Sequence, residues 1–355
     1  MSIKLVFKEE NEELFWKYWE DFISHEKKGP RYLRKNIEYR IAVSKGNYLL
    51  HSDKSFVYLR NNKVEACVFL PIERCKEFIV ASSNLDYIDA PLFLNDSVKE
   101  QVFSIIDDIA VEHGLAMVKF AIDPMENDVI FYNYLQKYQY LNTSILTYII
   151  NLKMASTSDD LFKACRRGHR REIKKIRDDK NFSTFIMNSN NFSYKLHEEY
   201  RLLHHKCAGR ITRPKETFDL QFEKVKEGCS VLVGLKYKNK NIAFYYFDYY
   251  SNKALGFSSA DDPEYNSLPL YHLLFLRVME YLKKTGVHYI DAGQPSSPST
   301  QIDYYPDKKQ LNIAFFKRGF GGHFKDNFRG IKYFSKDLFK KDIKEFIDNY
   351  SQTIA

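Results

Sequence analysis

A lysine placed between aromatic and glycine residues is the sequence feature with the clearest chemical potential. Lys317 lies in FFKRGFGG (315–322), after two phenylalanines and before three glycines in the next five positions. This pattern puts a cation on a stiff platform beside backbone that can approach a ligand closely. The alternative is a glycine turn that ends a helix and leaves Lys317 merely exposed to solvent.

A carboxylate at the end of an apolar strand is a second candidate. Asp291 closes the segment HYID (288–291) and is followed two residues later by Gly293. Strand ends in mixed sheets are common ligand-binding positions, so Asp291 could position an amine or relay its proton. An aspartate that caps a turn explains the same pattern, and both interpretations stay open.

Two groups of arginines could hold phosphates. Arg210 and Arg213 lie in CAGRITRP (207–214), where a pair of arginines in a turn could clamp a phosphate. Arg166 and Arg167 belong to the densest basic run, KACRRGHRREIKKIR (163–177). Such clusters attract the phosphates of nucleotides, lipids or RNA, although a solvated helix face or unpartnered surface arginines explain them equally well.

Composition bounds the remaining possibilities. The 355 residues exceed what one core usually holds, which predicts two halves, and 44% hydrophobic residues predict an ordered chain. No stretch is apolar enough for a membrane span or a signal peptide, so a cytoplasmic location is expected. The five cysteines are scattered without a C-x-x-C pair, and no histidine has a partner at metal-binding spacing, so no metal is expected.

One order of elements occurs twice along the chain. Residues 47–73 and 230–257 each alternate apolar and polar residues in three short runs joined by turns, which is typical of a meander. Each meander is followed by an amphipathic helix, at 97–113 and 268–284, and then by two further strands. The repetition favours a duplicated unit. By contrast, 160–179 is predicted to be a single helix of about twenty residues.

The order of helix, meander, helix, strand, short helix and strand is that of an acetyltransferase-type (GNAT) fold. It predicts an α/β (α+β) chain with two tandem GNAT-like domains, 1–152 and 153–355. Each would contain a mixed, mostly antiparallel sheet flanked by helices, and the second would carry the donor and catalytic cleft. In this fold a neutral amine attacks an activated acyl carbonyl directly, without an enzyme nucleophile.

From about residue 158 to residue 330 the chain resembles the FemAB family, whose members carry two such domains. The matching motifs are CRRGHRREIKK, LLHHKCAGR, LPLYHLLFLRVMEYLKKTG running into HYIDAG, and FFKRGFGG, of which the last two are the most specific. The segment DYIDAPLFL (86–94) is similar to the family's first domain. The resemblance implies a bacterial transferase that places an aminoacyl or acyl group on an amine. It also implies that Lys317 and Phe316 lie near the reacting end of the donor, with Asp291 as an orienting residue.

The segment PEYNSLPLYH (263–272) stands where acetyl-CoA users of the fold carry a glycine-rich loop for the pyrophosphate, and that loop is missing here. Helix capping alone explains the serine and the prolines of the segment. The segment would also suit a donor with a base or a ribose to grip. The residues expected to contact such a donor are Tyr265, Asn266, Ser267, Tyr271 and His272.

The resemblance favours aminoacyl-tRNA over an acyl-CoA as co-substrate, with no bound cofactor. It implies a phosphate-bearing small-molecule or lipid-linked acceptor, such as a precursor of the cell wall or of a surface polysaccharide, and it is compatible with peripheral membrane contact. The alternatives are an acyl-CoA-dependent N-acetyltransferase acting on an amino sugar and a non-catalytic binding protein of the same fold. A dedicated RNA-binding module is disfavoured, because no RNA-binding motif is present and the net charge of +8 is modest; no DNA partner is expected.

Overall fold

The computed structural model describes residues 2–126, 132–293 and 301–354, which form ten α-helices and eighteen β-strands. The helices are α1 (Glu12–His25), α2 (Arg34–Gly46), α3 (Lys99–Glu112), α4 (Ser158–Ala164), α5 (Arg167–Arg177), α6 (Tyr194–Ala208), α7 (Lys215–Lys226), α8 (Leu270–Lys284), α9 (Lys308–Lys317) and α10 (Lys336–Ser351). The strands are β1 (Ile3–Phe7), β2 (Leu50–Asp53), β3 (Phe56–Arg60), β4 (Lys63–Val68), β5 (Pro71–Cys75), β6 (Phe78–Ala81), β7 (Ile88–Asp89), β8 (Leu92–Phe93), β9 (Met117–Ala121), β10 (Leu141–Asn142), β11 (Ile145–Asn151), β12 (Phe182–Met187), β13 (Ser230–Tyr237), β14 (Lys240–Tyr250), β15 (Lys253–Asp261), β16 (Tyr289–Asp291), β17 (His323–Asn327) and β18 (Arg329–Tyr333).

The chain divides into two compact units. The first unit comprises residues 1–146, 297–311 and 326–355, and the second comprises 147–296 and 312–325. The second unit is built on one seven-stranded sheet in the order β12-β13-β14-β15-β16-β11-β17. Its β13, β14 and β15 pair antiparallel with their neighbours in sequence and form the meander predicted at 230–257.

Both faces of this meander are covered, which explains why β14 is apolar almost throughout. Alternate residues such as Tyr245 and Phe247 pack in a cluster that includes α8, while Phe244 and Tyr246 pack in a separate cluster with α6 and α7. Successive side chains of a strand point to opposite faces, so a strand covered on both sides reads as a continuous apolar run. Burial on both faces makes this sheet the rigid support of the second unit.

The first unit contains two sheets. One has the order β1-β3-β4-β8, and the other has the order β10-β18-β9-β6-β5-β2, with β7 also beside β9. The chain passes between the sheets at Lys54–Ser55 and again near Leu70, where the amide of Lys54 donates to the carbonyl of Leu70 and the hydroxyl of Ser55 accepts from the amide of Leu70. The meander predicted at 47–73 is therefore divided between two sheets, unlike the one in the second unit.

Each unit contains a strand that the sequence repeat assigns to the other half. β11, which ends the first repeat, pairs antiparallel with β16 in the sheet of the second unit. β18, which ends the second repeat, pairs antiparallel with β9 in the first unit, with Ile331 opposite Lys119. The compact units are thus not the contiguous stretches 1–152 and 153–355. Those boundaries describe the repeat in the sequence and stay a prediction for the domains.

The single helix predicted at 160–179 is wrong, because α4 and α5 are separate helices. Cys165 and Arg166 have extended backbone angles, with ψ values of 141° and 154°. The amide of Arg166 donates to the carbonyl of Gly319 at 2.9 Å, and the Arg170 guanidinium donates to the carbonyl of Cys165 at 2.5 Å. These contacts satisfy the backbone groups that a continuous helix would have paired, so tertiary hydrogen bonds replace one helical turn.

Candidate functional site

The sheet of the second unit opens between β15 and β16. These strands run parallel but pair over only three residues, ending with Leu255 opposite Asp291. β16 stops at Asp291, whereas β15 continues to Asp261, and among the described residues this continuation pairs with β14 alone. The β14–β15 ladder is also irregular at this level, and such bulges bend a strand. Parallel strands that part at their carboxyl ends leave a cleft in which ligands commonly bind.

Asp291 lies at the closed end of this cleft. Its side chain is buried, with 3% of the residue exposed. One carboxylate oxygen, Oδ1, accepts from the hydroxyl of Thr147 at 2.9 Å and from the amide of Gly293 at 2.8 Å. The bond from Gly293 is the turn cap that the sequence allowed, and the bond from Thr147 on β11 fixes the carboxylate from the neighbouring strand. The turn-capping bond is therefore present, and the role of Asp291 toward an amine stays a prediction.

Lys317 is the last residue of α9 and approaches Asp291. Its Nζ lies 4.0 Å from the position that a Cβ on Gly293 would occupy. Burial lowers the pKa of Lys317 from 10.5 to about 8, and the carboxylate of Asp291 acts in the opposite direction. A helix C-terminus also favours a cation. The structure thus brings together the two residues expected to be catalytic, and it brings the pKa of the lysine closer to neutral pH.

A buried histidine holds the backbone next to Lys317. Nδ1 of His169 accepts from Nε of Arg166 at 3.0 Å, which leaves the proton on Nε2, and this N–H donates to the carbonyl of Phe316 at 2.8 Å. Burial lowers the pKa of His169 to about 4, so the ring is neutral. The ring packs edge-on against His272 at a centroid distance of 4.5 Å and tilted against Phe316 at 5.4 Å. His169 therefore positions the residue that precedes Lys317.

The glycines of FFKRGFGG serve close packing within the protein. A Cβ on Gly319 would lie 2.1 Å from Nε2 of His169, and a Cβ on Gly322 would lie 2.4 Å from the carbonyl oxygen of Ile149. Gly321 has a φ of +80°, which L side chains rarely adopt. The sequence suggested that these glycines let the backbone approach a ligand. In the structure they let it approach His169 and β11, and so they set the position of Lys317.

The loop before α8 carries acidic residues where the sequence predicts donor contacts. Asp262 is buried and accepts from the ammonium groups of Lys206 at 2.6 Å and Lys240 at 2.9 Å. Glu264 binds the same two lysines at 3.0 and 3.4 Å. Asn266 and Ser267 are exposed, and among the described residues no side chain caps the first turn of α8. Helix capping by Ser267, the alternative that the sequence allows, is therefore not found in this part of the chain.

The remaining aromatic residues of this segment are tied to the protein. The hydroxyl of Tyr271 donates to Asp261 at 2.8 Å, at the end of β15. Tyr265 packs against Tyr237, and the ammonium of Lys240 lies over its ring at 5.3 Å. His272 lies in the group around His169 described above. Tyr271 therefore lies beside the open part of β15, while Tyr265 lies next to the acidic loop.

The arginines expected to bind phosphate have different surroundings. Arg213 donates to the hydroxyl of Tyr200 at 3.0 Å and to Gln221 at 2.6 Å, and its guanidinium lies 4.1 Å from the ring centroid of Phe218. These contacts give Arg213 a structural role beside β15, because Tyr200 also bonds the hydroxyl of Ser258 at 2.7 Å.

Arg210 and Arg167 are exposed, and Arg166 is partly buried with its guanidinium over Phe315 at 3.9 Å. The structure therefore does not bring these four arginines into one phosphate site.

Sequence reasoning missed His169, Thr147 and Tyr200. A signal existed for His169, because it lies four and seven residues before Ile173 and Ile176, and these three are the buried residues of α5. Thr147 and Tyr200 carry no comparable signal, since their roles depend on which strand or helix lies beside them.

Within residues 2–126, 132–293 and 301–354, no group of three or more His, Cys, Asp or Glu side chains is arranged to hold a metal ion. None of the helices in these ranges combines the length and the apolar character needed to cross a membrane.

Comparison with solved structures identifies the fold. No protein-family model matches the sequence, and no curated protein matches it significantly. FemX superposes with a TM-score of 0.54 and 13% identity, over 85% of this chain and 92% of FemX. L-PGS from Bacillus licheniformis superposes with a TM-score of 0.56 and 13% identity, over 89% of this chain and 97% of that protein. The chain therefore has the FemAB-like tandem GNAT fold, and the predicted fold class is confirmed.

Proposed function

We propose that this chain is an N-acyltransferase that joins an activated acyl or aminoacyl group to an amine. The observation that carries the proposal is the position of Lys317 near Asp291, at the point where β15 and β16 separate. A cation beside a buried, fixed carboxylate at the apex of a cleft is suited to stabilising negative charge that develops on a ligand. The likeness to FemX and L-PGS supports the same class, because both share this fold.

In the proposed reaction the neutral amine nitrogen attacks the acyl carbonyl and forms the C–N bond. The carbonyl oxygen gains negative charge, which the ammonium of Lys317 stabilises as a hydrogen-bond donor. The bond between the acyl carbon and the leaving oxygen or sulfur of the donor then breaks. The proton lost by the nitrogen balances the one gained by the leaving group. Asp291 keeps the ammonium charged, since its carboxylate raises the pKa of Lys317 against the effect of burial.

Aminoacyl-tRNA is the favoured donor within this proposal. Lys206 and Lys240 are the cations near the loop before α8, and Asp262 and Glu264 already bind both of them, so neither lysine is available to a pyrophosphate there. By contrast, one face of α5 presents four exposed cations, Arg167, Arg171, Lys174 and Lys175. A face of this kind suits a large polyanion. The acceptor in this proposal is an amine on a precursor of the cell wall or of a surface polysaccharide.

The experiment offers the protein both donors separately, as charged tRNA with radiolabelled aminoacyl groups and as radiolabelled acetyl-CoA, with candidate amino-sugar and peptide-bearing precursors as acceptors. We expect transfer from charged tRNA that is lost after RNase treatment. Lys174→Glu combined with Lys175→Glu should weaken this transfer and reduce its salt dependence. The matched control is Lys336→Glu combined with Lys340→Glu, which changes the charge equally on exposed positions of α10.

RNase-insensitive transfer from acetyl-CoA alone would replace the donor and leave the acyltransferase class standing. Acceptor binding without transfer from either donor, unchanged in Lys317→Ala, would favour the non-catalytic alternative instead.

A further inference from the structure

A cavity of about 370 Å³ lies in the first unit, beyond the carboxyl ends of the parallel strands β7 and β9. β7 pairs with the last residues of β9, and the chain then leaves this sheet to form β8 in the other sheet of the unit. The lining comes from the residues that follow β7 and β9 and from the segments around Tyr32 and Tyr134. A crevice at parallel strand ends where the chain changes direction is a preferred ligand position, and this volume is sufficient for a small ligand.

Apolar and aromatic residues form more than half of the cavity wall. Pro91, Leu92 and Phe93 contribute to it together with Ile122, which follows β9, and with the tyrosine rings. Aromatic and aliphatic walls of this kind accept the apolar face of a ring.

Two buried tyrosine hydroxyls provide polar contacts. Tyr32 is 3% exposed and Tyr134 is 5% exposed, and both line the cavity. Within the described residues neither hydroxyl has a hydrogen-bond partner, and neither belongs to the fully buried unpartnered atoms, so both are accessible from the cavity. Burial raises the pKa of both phenols, so both stay protonated and can donate as well as accept. A ligand with hydroxyl groups can therefore form hydrogen bonds with both of them.

The charged groups around the cavity are balanced. Lys28 lies 3.7 Å from Glu126, and Lys99 lies 2.7 Å from Asp96. Asp123 also contributes to the lining, and its carboxylate lies 3.7 Å from the guanidinium of Arg31, which balances its charge. A cationic or anionic ligand would have to compete with these pairs, whereas an uncharged one would leave them intact.

We propose that this cavity binds an uncharged ring of monosaccharide size that carries hydroxyl groups. The ring packs its apolar face on the aromatic wall, and its hydroxyls bond Tyr32 and Tyr134. This site is separate from the Lys317 cleft, and its occupancy can be measured without any transfer reaction.

The chain carries a natural reporter for this site. Its two tryptophans, Trp16 and Trp19, both lie on α1, and the indole of Trp19 donates to the carbonyl of Tyr32 at 2.8 Å. Titration of the full-length protein with N-acetylglucosamine should therefore change the intrinsic fluorescence saturably, with an affinity in the millimolar range. Glucosamine and glucuronic acid have the same ring with a positive or a negative charge, and each should bind at least fivefold more weakly.

Tyr32→Phe and Tyr134→Phe should each weaken binding of N-acetylglucosamine about fivefold, as expected for one lost hydrogen bond. Tyr138→Phe is the matched control, because it lies on the same short helical turn as Tyr134 but does not line the cavity. Its affinity should equal that of the wild type. Saturation-transfer NMR repeats the measurement without relying on fluorescence. Absence of N-acetylglucosamine binding by both methods, wild-type affinity in both phenylalanine variants, or tighter binding of either charged sugar would overturn the proposal.

Discussion

Replacing Lys317 by methionine should stabilise the fold while strongly lowering the rate of transfer. The ammonium is partly buried, and burial lowers its pKa from 10.5 to about 8 despite the nearby Asp291. The charged form of Lys317 is therefore less stable in the folded protein than in the unfolded chain. Methionine keeps much of the length of the side chain and removes the charge. If Lys317 stabilised the fold, its replacement by methionine would lower the stability, so this substitution separates a functional role from a structural one.

The magnitude follows from the two pKa values. A fall from 10.5 to about 8 corresponds to about 3 kcal/mol at pH 7, where the lysine is charged in both states. Part of the side chain remains exposed, which reduces the cost, so a gain of about 1 to 3 kcal/mol is expected for the variant. Transfer should fall roughly a hundredfold or more, the scale of losing one contact made in the transition state.

The pH dependence gives a second signature. Between about pH 8 and pH 10.5 the folded protein has lost the Lys317 proton while the unfolded chain still holds it, so wild-type stability should rise with pH. The Lys317→Met variant lacks this rise, and its advantage over the wild type should shrink across the same interval. Urea unfolding followed by circular dichroism measures both, because the two tryptophans lie in the first unit and fluorescence would not report on the second.

Lys309→Met is the matched control, since Lys309 is exposed on the same helix, α9. It should change stability little and show no altered slope above pH 8. Equal stability of Lys317→Met and wild type at every pH would refute the burial argument. Normal transfer by Lys317→Met would refute the assignment of the site.

Three further results are expected. Asp291→Asn removes the charge that raises the pKa of Lys317, so the transfer rate should begin to fall at a lower pH than in the wild type. An unchanged pH–rate profile would contradict the effect of Asp291 on Lys317. Gly319→Ala should lower the free energy of unfolding in urea by about 3 kcal/mol, because its Cβ would lie 2.1 Å from His169. Gly168→Ala is the control and should not destabilise the protein, because nothing lies within 4 Å of its Cβ. Equal effects of the two substitutions would refute the packing role of Gly319. The free energy of unfolding should fall as pH drops from 6.5 to 4, because in this range His169 is protonated in the unfolded chain but stays neutral in the folded protein. His169→Asn should show a smaller fall in the same titration, and an identical fall would exclude His169 as the cause.

Much of the secondary structure of the second unit could be predicted, because the spacing of its apolar residues matches the faces that are buried. The alternation at 230–257 and the apolar stripe at 268–284 are local signals, and β13 to β15 and α8 appear where these signals occur. The break between α4 and α5 could not be predicted in this way. It depends on the bond from Arg166 to Gly319, a residue more than one hundred and fifty positions away in the chain.

The candidate site could be predicted in part for the same reason. Lys317 and Asp291 end elements whose types are legible from the sequence, so their convergence follows once the strand order is known. The segment 263–272 is predicted to contact a donor, and composition alone does not show that Lys206 and Lys240 bind Asp262 beside it. Side chains whose partners come from distant elements need the tertiary structure.

The exchange of strands between the units has a consequence for synthesis of the chain. β18 lies between β10 and β9 in the interior of its sheet, and about 210 residues separate Lys119 from its partner Ile331. At elongation rates of about 5 to 20 residues per second, synthesis of the residues between β9 and β18 takes roughly 10 to 40 seconds. During this time the edges of β9 and β10 that later pair with β18 have no partner strand. Such edges recruit other strands, so nascent chains of this protein should depend on chaperones that shield them. A ribosome-released fragment ending at residue 152 should aggregate, and addition of a peptide spanning 326–355 during its synthesis should keep it in solution.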